Sequence, residues 1–353
     1  MKALVLSGGK GTRLRPITHT SAKQLVPIAN KPILFYGLEA IAEAGIKEVG
    51  VIVGDTADEI RSALKDGSRW GINITYIQQE APLGLAHAVK IARDFLKDDD
   101  FVMYLGDNLI KDGLKEQIAQ FVKNKPNAQI LLAKVPHPEN FGVAVLKDSK
   151  VINLEEKPKQ PKSDLALVGV YMFDKNIHTA VNSIKPSDRG ELEITDAIQY
   201  LIDNNYTVSP HIVQGWWKDT GKLDDMLEAN RLILDTILTD TRGTVDSASN
   251  IEGKVVIEKG AKVVNSSIRG PAIIGENAEI INSYIGPFTS IYFNVKIENS
   301  EIEHSIVLEN STIKDIKRIG DSLIGQNVQI SHTEKKPAAY RIMVGDSSKL
   351  EII

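Results

Sequence analysis

The 353-residue chain contains no cysteine. That absence excludes disulfides and thiol catalysis, and it suits a cytoplasmic setting. An excess of charge of either sign is also lacking. The formal net charge is −4, which argues against a partner held by a basic surface, such as a nucleic acid. No apolar run approaches the length of a membrane span, and the longest, Leu165–Phe173, suits a buried strand. The first residues enter a strand pattern directly, so no secretory leader is expected. The seven histidines form neither an HxH nor an HxxxH pair, and no zinc-type cluster is expected from them.

What is present is a globular composition, 42% hydrophobic and 25% charged, on a chain long enough for two domains. The informative stretch is N-terminal. Ala3–Ser7 is a short apolar run that reads as a buried strand. Gly8, Gly9 and Gly11 follow it at once. Glycines let the backbone turn sharply and approach a ligand, and successive N–H groups in such a turn form an anion-binding concavity. Lys10, Arg13, Arg15 and Lys23 add four cations close by. A strand, a glycine turn and clustered cations suit a polyphosphate. Two commoner phosphate loops do not fit. The dinucleotide fingerprint needs Gly or Ala where Arg13 stands, and the P-loop needs Gly-Lys-Ser/Thr, which does not occur.

Gly8–Arg13 together with Lys23 resemble the signature of the sugar-1-phosphate nucleotidylyltransferases. Over essentially its whole length the chain is most similar to the glucose-1-phosphate thymidylyltransferases of the long form, which carry a C-terminal β-helix. The resemblance implies a Mg2+-dependent enzyme that joins dTTP to glucose 1-phosphate, giving dTDP-glucose for deoxysugar synthesis and releasing pyrophosphate.

Residues 1–240 alternate strand patterns (Ala3–Leu6, Glu48–Val53, Asn73–Ile77, Phe101–Leu105, Ala128–Val135) with helical ones near Ile33–Ala44, Ala57–Leu64, Leu85–Phe95 and Leu114–Phe121. This predicts an α/β, Rossmann-like domain, and the resemblance implies that it is the nucleotidyltransferase domain. Its mostly parallel sheet would be covered on both faces, with ligands beyond the carboxyl ends of the strands. Val143–Leu146, Val151–Leu154 and Leu167–Phe173 read as an added sugar-side sheet, and a helix near Leu223–Leu238 as the closing element. Residues 245–353 have another character. Ile251, Ile268, Ile285, Ile302 and Ile319 recur every seventeen residues, as do Ile257, Ile274 and Ile291, and Val263, Ile280 and Ile297. Branched residues every five or six positions predict a parallel β-helix of hexapeptide repeats, about five coils before His332, with an apolar column inside. The left hand of that helix is implied by the resemblance, and Tyr340–Val344 reads as a cap on the last coil. The β-helix is expected to assemble a homo-oligomer.

Phosphoryl-type transfer between two anions asks for cations, a divalent metal and backbone donors, with no nucleophilic side chain. Asp107 ends an apolar strand in Gly-Asp-Asn, and Asp219 stands in Trp-Lys-Asp-Thr-Gly. Alone, the first reads better as a turn, and the second reads equally as a helix cap; the resemblance implies that both hold Mg2+. It further implies that Arg13, Lys23 and Lys157 are the catalytic cations, with Lys157 on the sugar phosphate. Leu6, Gly8, Gly9, Gly11, Thr12, Arg13, Gln24, Gln79, Pro82, Gly84 and Asp107 would contact the nucleotide. Leu85, Asn108, Gly142, Glu156, Lys157, Val168, Gly169 and Trp217 would contact the sugar phosphate. A Gln79 amide can pair with the imide edge of thymine or uracil. Leu83 departs from the Asp of the short forms, which keeps a UTP-using uridylyltransferase, or an enzyme of relaxed specificity, as the alternative. Arg189–Thr195 also matches the family, without an assigned role. A bifunctional enzyme with an acetyltransferase β-helix would need His304 as its base, and that residue reads instead as a surface imidazole.

Overall fold

The computed structural model describes all residues except 10, 20, 333, 335–339 and 353. Lys10, one of the expected phosphate cations, and Thr333, where the tail begins, therefore lie outside the described residues. Among the described residues no helix is long and apolar enough to cross a membrane. The chain divides into two compact units. One comprises Met1–Lys10, Ser21–Leu25 and Ile33–Asp219, and the other comprises Gly11–Thr20, Val26–Pro32 and Thr220–Ile353.

The first unit is built on a nine-stranded sheet. At its centre Lys2–Ser7 pairs in parallel with Glu48–Val53 and with Phe101–Leu105, and Asn73–Gln78 extends it beyond Glu48–Val53. Central parallel strands are buried on both faces and therefore read as unbroken apolar runs: Ala3, Leu4, Val5, Val51, Ile52, Val102 and Met103 are fully buried. Helices Ile33–Glu43, Ala57–Leu64 and Lys115–Asn124 form where expected, while the stretch Leu85–Phe95 is broken at Ala92 into Leu85–Ile91 and Arg93–Leu96. The register aligns Ser7 with Val53, Val53 with Gln78, and Leu6 with Leu105. Gly8, Gly54, Gln79 and Gly106 consequently leave the sheet along one edge.

The added sugar-side strands continue this same sheet. Leu165–Phe173 is buried along its whole length and pairs antiparallel with Phe101–Leu105, with Ala128–Lys134 and, through Ala166, with Gly142–Lys147. Lys150–Glu156 then adds to Gly142–Lys147 at the edge. Ala128–Lys134 thus stands outside the parallel core, and its other neighbour is the parallel strand Val208–Ile212. Sequence periodicity misses Val208–Ile212 because Pro210 and polar residues interrupt it; an edge strand tolerates a proline that a central one would not.

In the second unit three sheets of short parallel strands wind a β-helix, of the left-handed hexapeptide type. Ile251 pairs with Ile268, Ile268 with Ile285, Ile285 with Ile302, and Ile302 with Ile319. Ile257, Ile274 and Ile291 stack likewise, as do Val263, Ile280 and Ile297. The seventeen-residue sets are therefore the inner faces of successive coils. Ile268, Ile274, Ile280, Ile285, Ile291, Ile297 and Ile302 are all 0% exposed, and burial of such a side chain contributes roughly 1.5–3 kcal/mol. Asparagines mark the corners at positive φ, the left-handed region that Asn tolerates best after Gly. One corner forms a ladder in which Asn265 donates to Asn282, Asn282 to Asn299, and Asn299 to Asp315. The helix Leu223–Leu234 belongs to this unit. Its buried Asn230 accepts the Ala29 N–H at 2.9 Å and the Ser290 hydroxyl at 2.7 Å, and donates to the Phe288 carbonyl at 3.1 Å. Residues 340–344 form no strand and do not cap the last coil: Tyr340, Ile342, Met343 and Val344 are exposed, without the burial a cap would give them.

Candidate active site

The strand Lys2–Ser7 ends at Gly8-Gly9, and its neighbour Glu48–Val53 ends at Gly54. The two turns touch through backbone alone, since a side chain on Gly54 would meet the Gly8 carbonyl oxygen at 2.7 Å. Gly54 belongs to no motif, and its only signal in the sequence is a glycine directly after a strand. The buried Gln24 lies beside Gly9, its Nε2 3.6 Å from where a Gly9 Cβ would stand. Leu6 accepts the Gly106 N–H at 2.9 Å, which brings the start of Gly106-Asp107-Asn108 against the same turn. Gly11 (φ +63), Thr12 and Arg13 form a short 3-10 turn, Thr12–Leu14, on which Thr12 and Arg13 are exposed.

Lys23 is buried, and its ammonium bonds directly to the Asp107 carboxylate. Burial pushes the Asp107 carboxyl up, but the Lys23 charge and hydrogen bond, with a further bond from Asn108, outweigh it and hold the carboxyl below its ordinary value. Asp107 is thus an anion at the carboxyl edge of the sheet. Asp219 approaches it through the two-stranded pairing of Trp217–Asp219 with Asn108–Ile110, which sets Asp219 opposite Asn108.

Asn108 is the hub of the sugar-side residues. Its Nδ2 donates to Asp107 Oδ1 at 2.9 Å, and its Oδ1 accepts from the Gly169 N–H at 3.2 Å and from Trp217 Nε1 at 2.6 Å. The Trp217 N–H is thereby committed to protein, and the ring meets Phe141 edge-on at 5.3 Å. Val168 is fully buried beside Gly169. Gly142 sits against Thr195 and the Glu156 carboxylate. Glu156 accepts from Thr195 Oγ1 at 3.3 Å and from Arg189 at 3.2 Å, and the Lys157 ammonium lies 3.8 Å away. Burial and the Glu193 carboxylate raise its pKa, against the pull of Lys157 and Arg189.

The segment Arg189–Thr195 now has a structural role. Arg189 bonds both oxygens of the buried Glu193, at 2.8 and 2.9 Å, while reaching Glu156. Leu192 donates its N–H to the Leu83 carbonyl at 2.8 Å and accepts the Ala86 N–H at 3.0 Å. That fastens the loop Pro82–Leu85, in which Gly84 has φ +102 and a side chain would meet the Leu192 carbonyl at 2.4 Å. Pro82 and Leu83 are exposed at its tip, and Leu85 opens the following helix. Gln79 faces this loop. Its Nε2 is 3.1 Å from His87 Nδ1 and 3.4 Å from the Gly84 carbonyl. In the sequence His87 carries no signal beyond being one more histidine, in a short helical stretch. On the β-helix, His304 is part-exposed, with Nδ1 3.1 Å from Asp321 Oδ1 and its ring edge-on to Phe288.

The architecture and this edge of the sheet define a class that transfers nucleotidyl groups, and the comparisons agree. A family model described as nucleotidyl transferase matches residues 2–236, and the chain belongs to that family. It is 56% identical over 353 residues to a glucose-1-phosphate thymidylyltransferase of Streptomyces griseus, covering 100% of this chain and 99% of that one. It is 58% identical over 354 residues to the protein of the same description in Streptomyces antibioticus, again covering 100% and 99%. A crystal structure from Bacillus anthracis, of a protein provisionally described as a glucose-1-phosphate thymidylyltransferase and in complex with sucrose, superposes with a TM-score of 0.63 at 35% identity. It covers 68% of this chain and 98% of its own.

Proposed function

We propose that the chain is a Mg2+-dependent glucose-1-phosphate thymidylyltransferase. A phosphate oxygen of α-D-glucose 1-phosphate attacks the α-phosphorus of dTTP in line, the α–β anhydride bond breaks, and dTDP-glucose and pyrophosphate leave. The observation that carries this reading is the Lys23–Asp107 pair beside the Gly8-Gly9 turn, with Asp219 on the adjoining rung.

Asp107 and Asp219 fit Mg2+ by donor type: both offer hard carboxylate oxygens, and Mg2+ takes one or two of these plus phosphate and water. Two carboxylates are fewer ligands than Mg2+ takes, so phosphate oxygens and water would complete its shell. When bound, the ion would supply charge neutralisation to the phosphates. The remaining work is positioning. Arg13 and Lys23 hold the triphosphate and the departing pyrophosphate, as forked and point cations suit. Lys157 holds the sugar phosphate, and Glu156 takes sugar hydroxyls, with Arg189 and Thr195 keeping its carboxylate in place. Leu6, Gly8, Gly9, Gly11, Thr12 and Gln24 line the nucleotide path, and Gln79, Pro82 and Gly84 the base. Leu85, Asn108, Gly142, Val168, Gly169 and Trp217 shape the sugar side. The enzyme works in the cytoplasm as a homo-oligomer assembled through its β-helix, which light scattering of the full chain tests.

The second reading is a uridylyltransferase or an enzyme of relaxed specificity. One observation favours it: a single amide, Gln79, reads an edge that thymine and uracil share. Pyrophosphate release with Mg2+ and glucose 1-phosphate, compared across dTTP, UTP, GTP, CTP and ATP, separates the two. Preference for dTTP supports thymidylyl transfer, equal or better use of UTP moves the activity to the second reading, and no release with any nucleotide defeats both.

A further inference from the structure

We infer that His87 is a positioning residue that turns the Gln79 amide so that only its oxygen faces the base. This makes His87 a determinant of base choice. The inference rests on Gln79 as the base reader.

The orientation of an amide follows from what surrounds it. A carbonyl oxygen only accepts, so the atom facing the Gly84 carbonyl at 3.4 Å is the Gln79 nitrogen. The same nitrogen lies 3.1 Å from His87 Nδ1. With Nε2 donating, Nδ1 must accept, so the imidazole is neutral and carries its proton on Nε2. Burial and the Lys90 charge both hold the His87 pKa below its ordinary value, in keeping with that state. Gly84 precedes the helix Leu85–Ile91 at positive φ, and the first turn of that helix carries His87 to within 3.1 Å of Gln79, the residue after the strand Asn73–Gln78.

Both N–H groups of the Gln79 amide are therefore engaged by protein. Its Oε1 accepts no hydrogen bond among the described residues and points toward the glycine turn, 3.3 Å from where a Gly8 Cβ would stand. A reader of this form offers one acceptor. Thymine and uracil meet it with the ring N3–H, and guanine carries a ring N–H of the same kind. Cytosine and adenine present a bare ring nitrogen, which sets two acceptors against each other and leaves both unsatisfied when water is excluded. Without His87 only the long 3.4 Å contact to the Gly84 carbonyl still holds the amide, so it turns over and offers its nitrogen more readily, and the barrier to cytosine falls.

The test compares dTTP with dCTP, two pyrimidines that differ at this edge, in the pyrophosphate-release assay with Mg2+ and glucose 1-phosphate. Three variants are needed. His87→Leu fills the space without an acceptor, His87→Asn keeps an acceptor near the position of Nδ1, and Gln79→Ala removes the reader. The expected result for His87→Leu is a fall of about ten-fold in the dTTP-over-dCTP ratio of kcat/KM, the worth of about one hydrogen bond, carried by KM. His87→Asn should keep the ratio within about three-fold of the parent. Loss of fold alone would lower both substrates together and leave the ratio in place. An unchanged ratio in His87→Leu, with the ratio collapsed in Gln79→Ala, overturns the positioning role and leaves Gln79 as reader. Equal falls in His87→Leu and His87→Asn overturn it in favour of packing. An unchanged ratio in Gln79→Ala removes Gln79 as reader, and this inference with it.

Discussion

The two units treat buried polarity in opposite ways. In the β-helix the buried hydroxyls of Ser266, Ser283, Thr289, Ser290, Ser300, Ser305 and Ser311 all have hydrogen-bond partners. Several do double duty: Ser266 accepts the Ser283 N–H, Ser283 the Ser300 N–H, and Ser300 the Ile316 N–H. In the α/β unit four buried side-chain atoms have no partner among the described residues: Ser7 Oγ, Gln24 Oε1, Gln117 Oε1 and His178 Nε2. Two of these four, Ser7 and Gln24, belong to the glycine turn or adjoin it. A repeat built to stack satisfies every polar group it buries, because each coil is the template for the next. A site built to receive a polar ligand keeps groups unmatched until the ligand arrives, and departures from local consistency collect there.

If that contrast is real, substitutions in the two units should separate activity from stability. The largest effect belongs to Asp107→Asn. It removes the charge that pairs with Lys23 while keeping shape and one acceptor, and turnover should fall by about a thousand-fold, the scale of losing a key electrostatic group. The thermal midpoint should fall as well, because the buried Lys23 ammonium loses its counter-charge, so rates are compared below the transition, where unfolding cannot account for a loss of this size. Retention of more than about a tenth of the parent rate would remove Asp107 from the chemistry. Next is Ile285→Ala in the apolar column, where Ile268 and Ile302 stack above and below. The cavity cannot collapse between fixed rungs, so the β-helix should lose about 3 kcal/mol in denaturant unfolding, within the roughly 2–5 kcal/mol seen for such truncations. Below the transition kcat should match the parent; a fall in kcat with stability intact would break the separation. Smaller again is Ser283→Ala. It leaves the Ser300 N–H without its acceptor, at about 1–2 kcal/mol for an unsatisfied buried donor.

The two units also differ in what their sequences disclose. The coils were legible because each contact repeats at a fixed separation, so Ile285 declares its neighbours Ile268 and Ile302 by count alone. The parallel core was legible as well, since strands buried on both faces leave unbroken apolar runs. Positions such as Asp107, Lys23 and Gly84 stood out through motif. What stayed hidden are pairings between residues far apart in the chain that follow no period: Trp217 with Asn108, Arg189 with both Glu156 and Glu193, Leu192 with the Gly84 loop. Each depends on where two separate loops leave the sheet. The continuity of the sheet through Leu165–Phe173 was hidden for a related reason. A strand buried on both faces does not say in sequence whether it begins a new sheet or joins an old one.

The smallest effect is the sharpest test of the contrast. Ser7 is fully buried at the end of the first strand, and its hydroxyl has no partner among the described residues. Removing an unpartnered buried hydroxyl relieves a desolvation cost of about 1 kcal/mol or more and leaves a void of only one atom. Ser7→Ala should therefore be neutral or stabilising by up to about 1 kcal/mol, the reverse of Ser283→Ala, although both substitutions delete the same buried group. Denaturant unfolding of the two variants beside the parent measures the difference in sign. Stabilisation of Ser7→Ala in the free protein, together with a raised KM for the nucleotide, would mean that the hydroxyl is held unpaired for the ligand. Stabilisation with unchanged kinetics would make Ser7 a packing residue whose polarity does no work. A loss of about 1 kcal/mol or more would show that the hydroxyl is hydrogen-bonded in the folded protein, and the contrast between the units would then fail at the residue where it is most exposed to test.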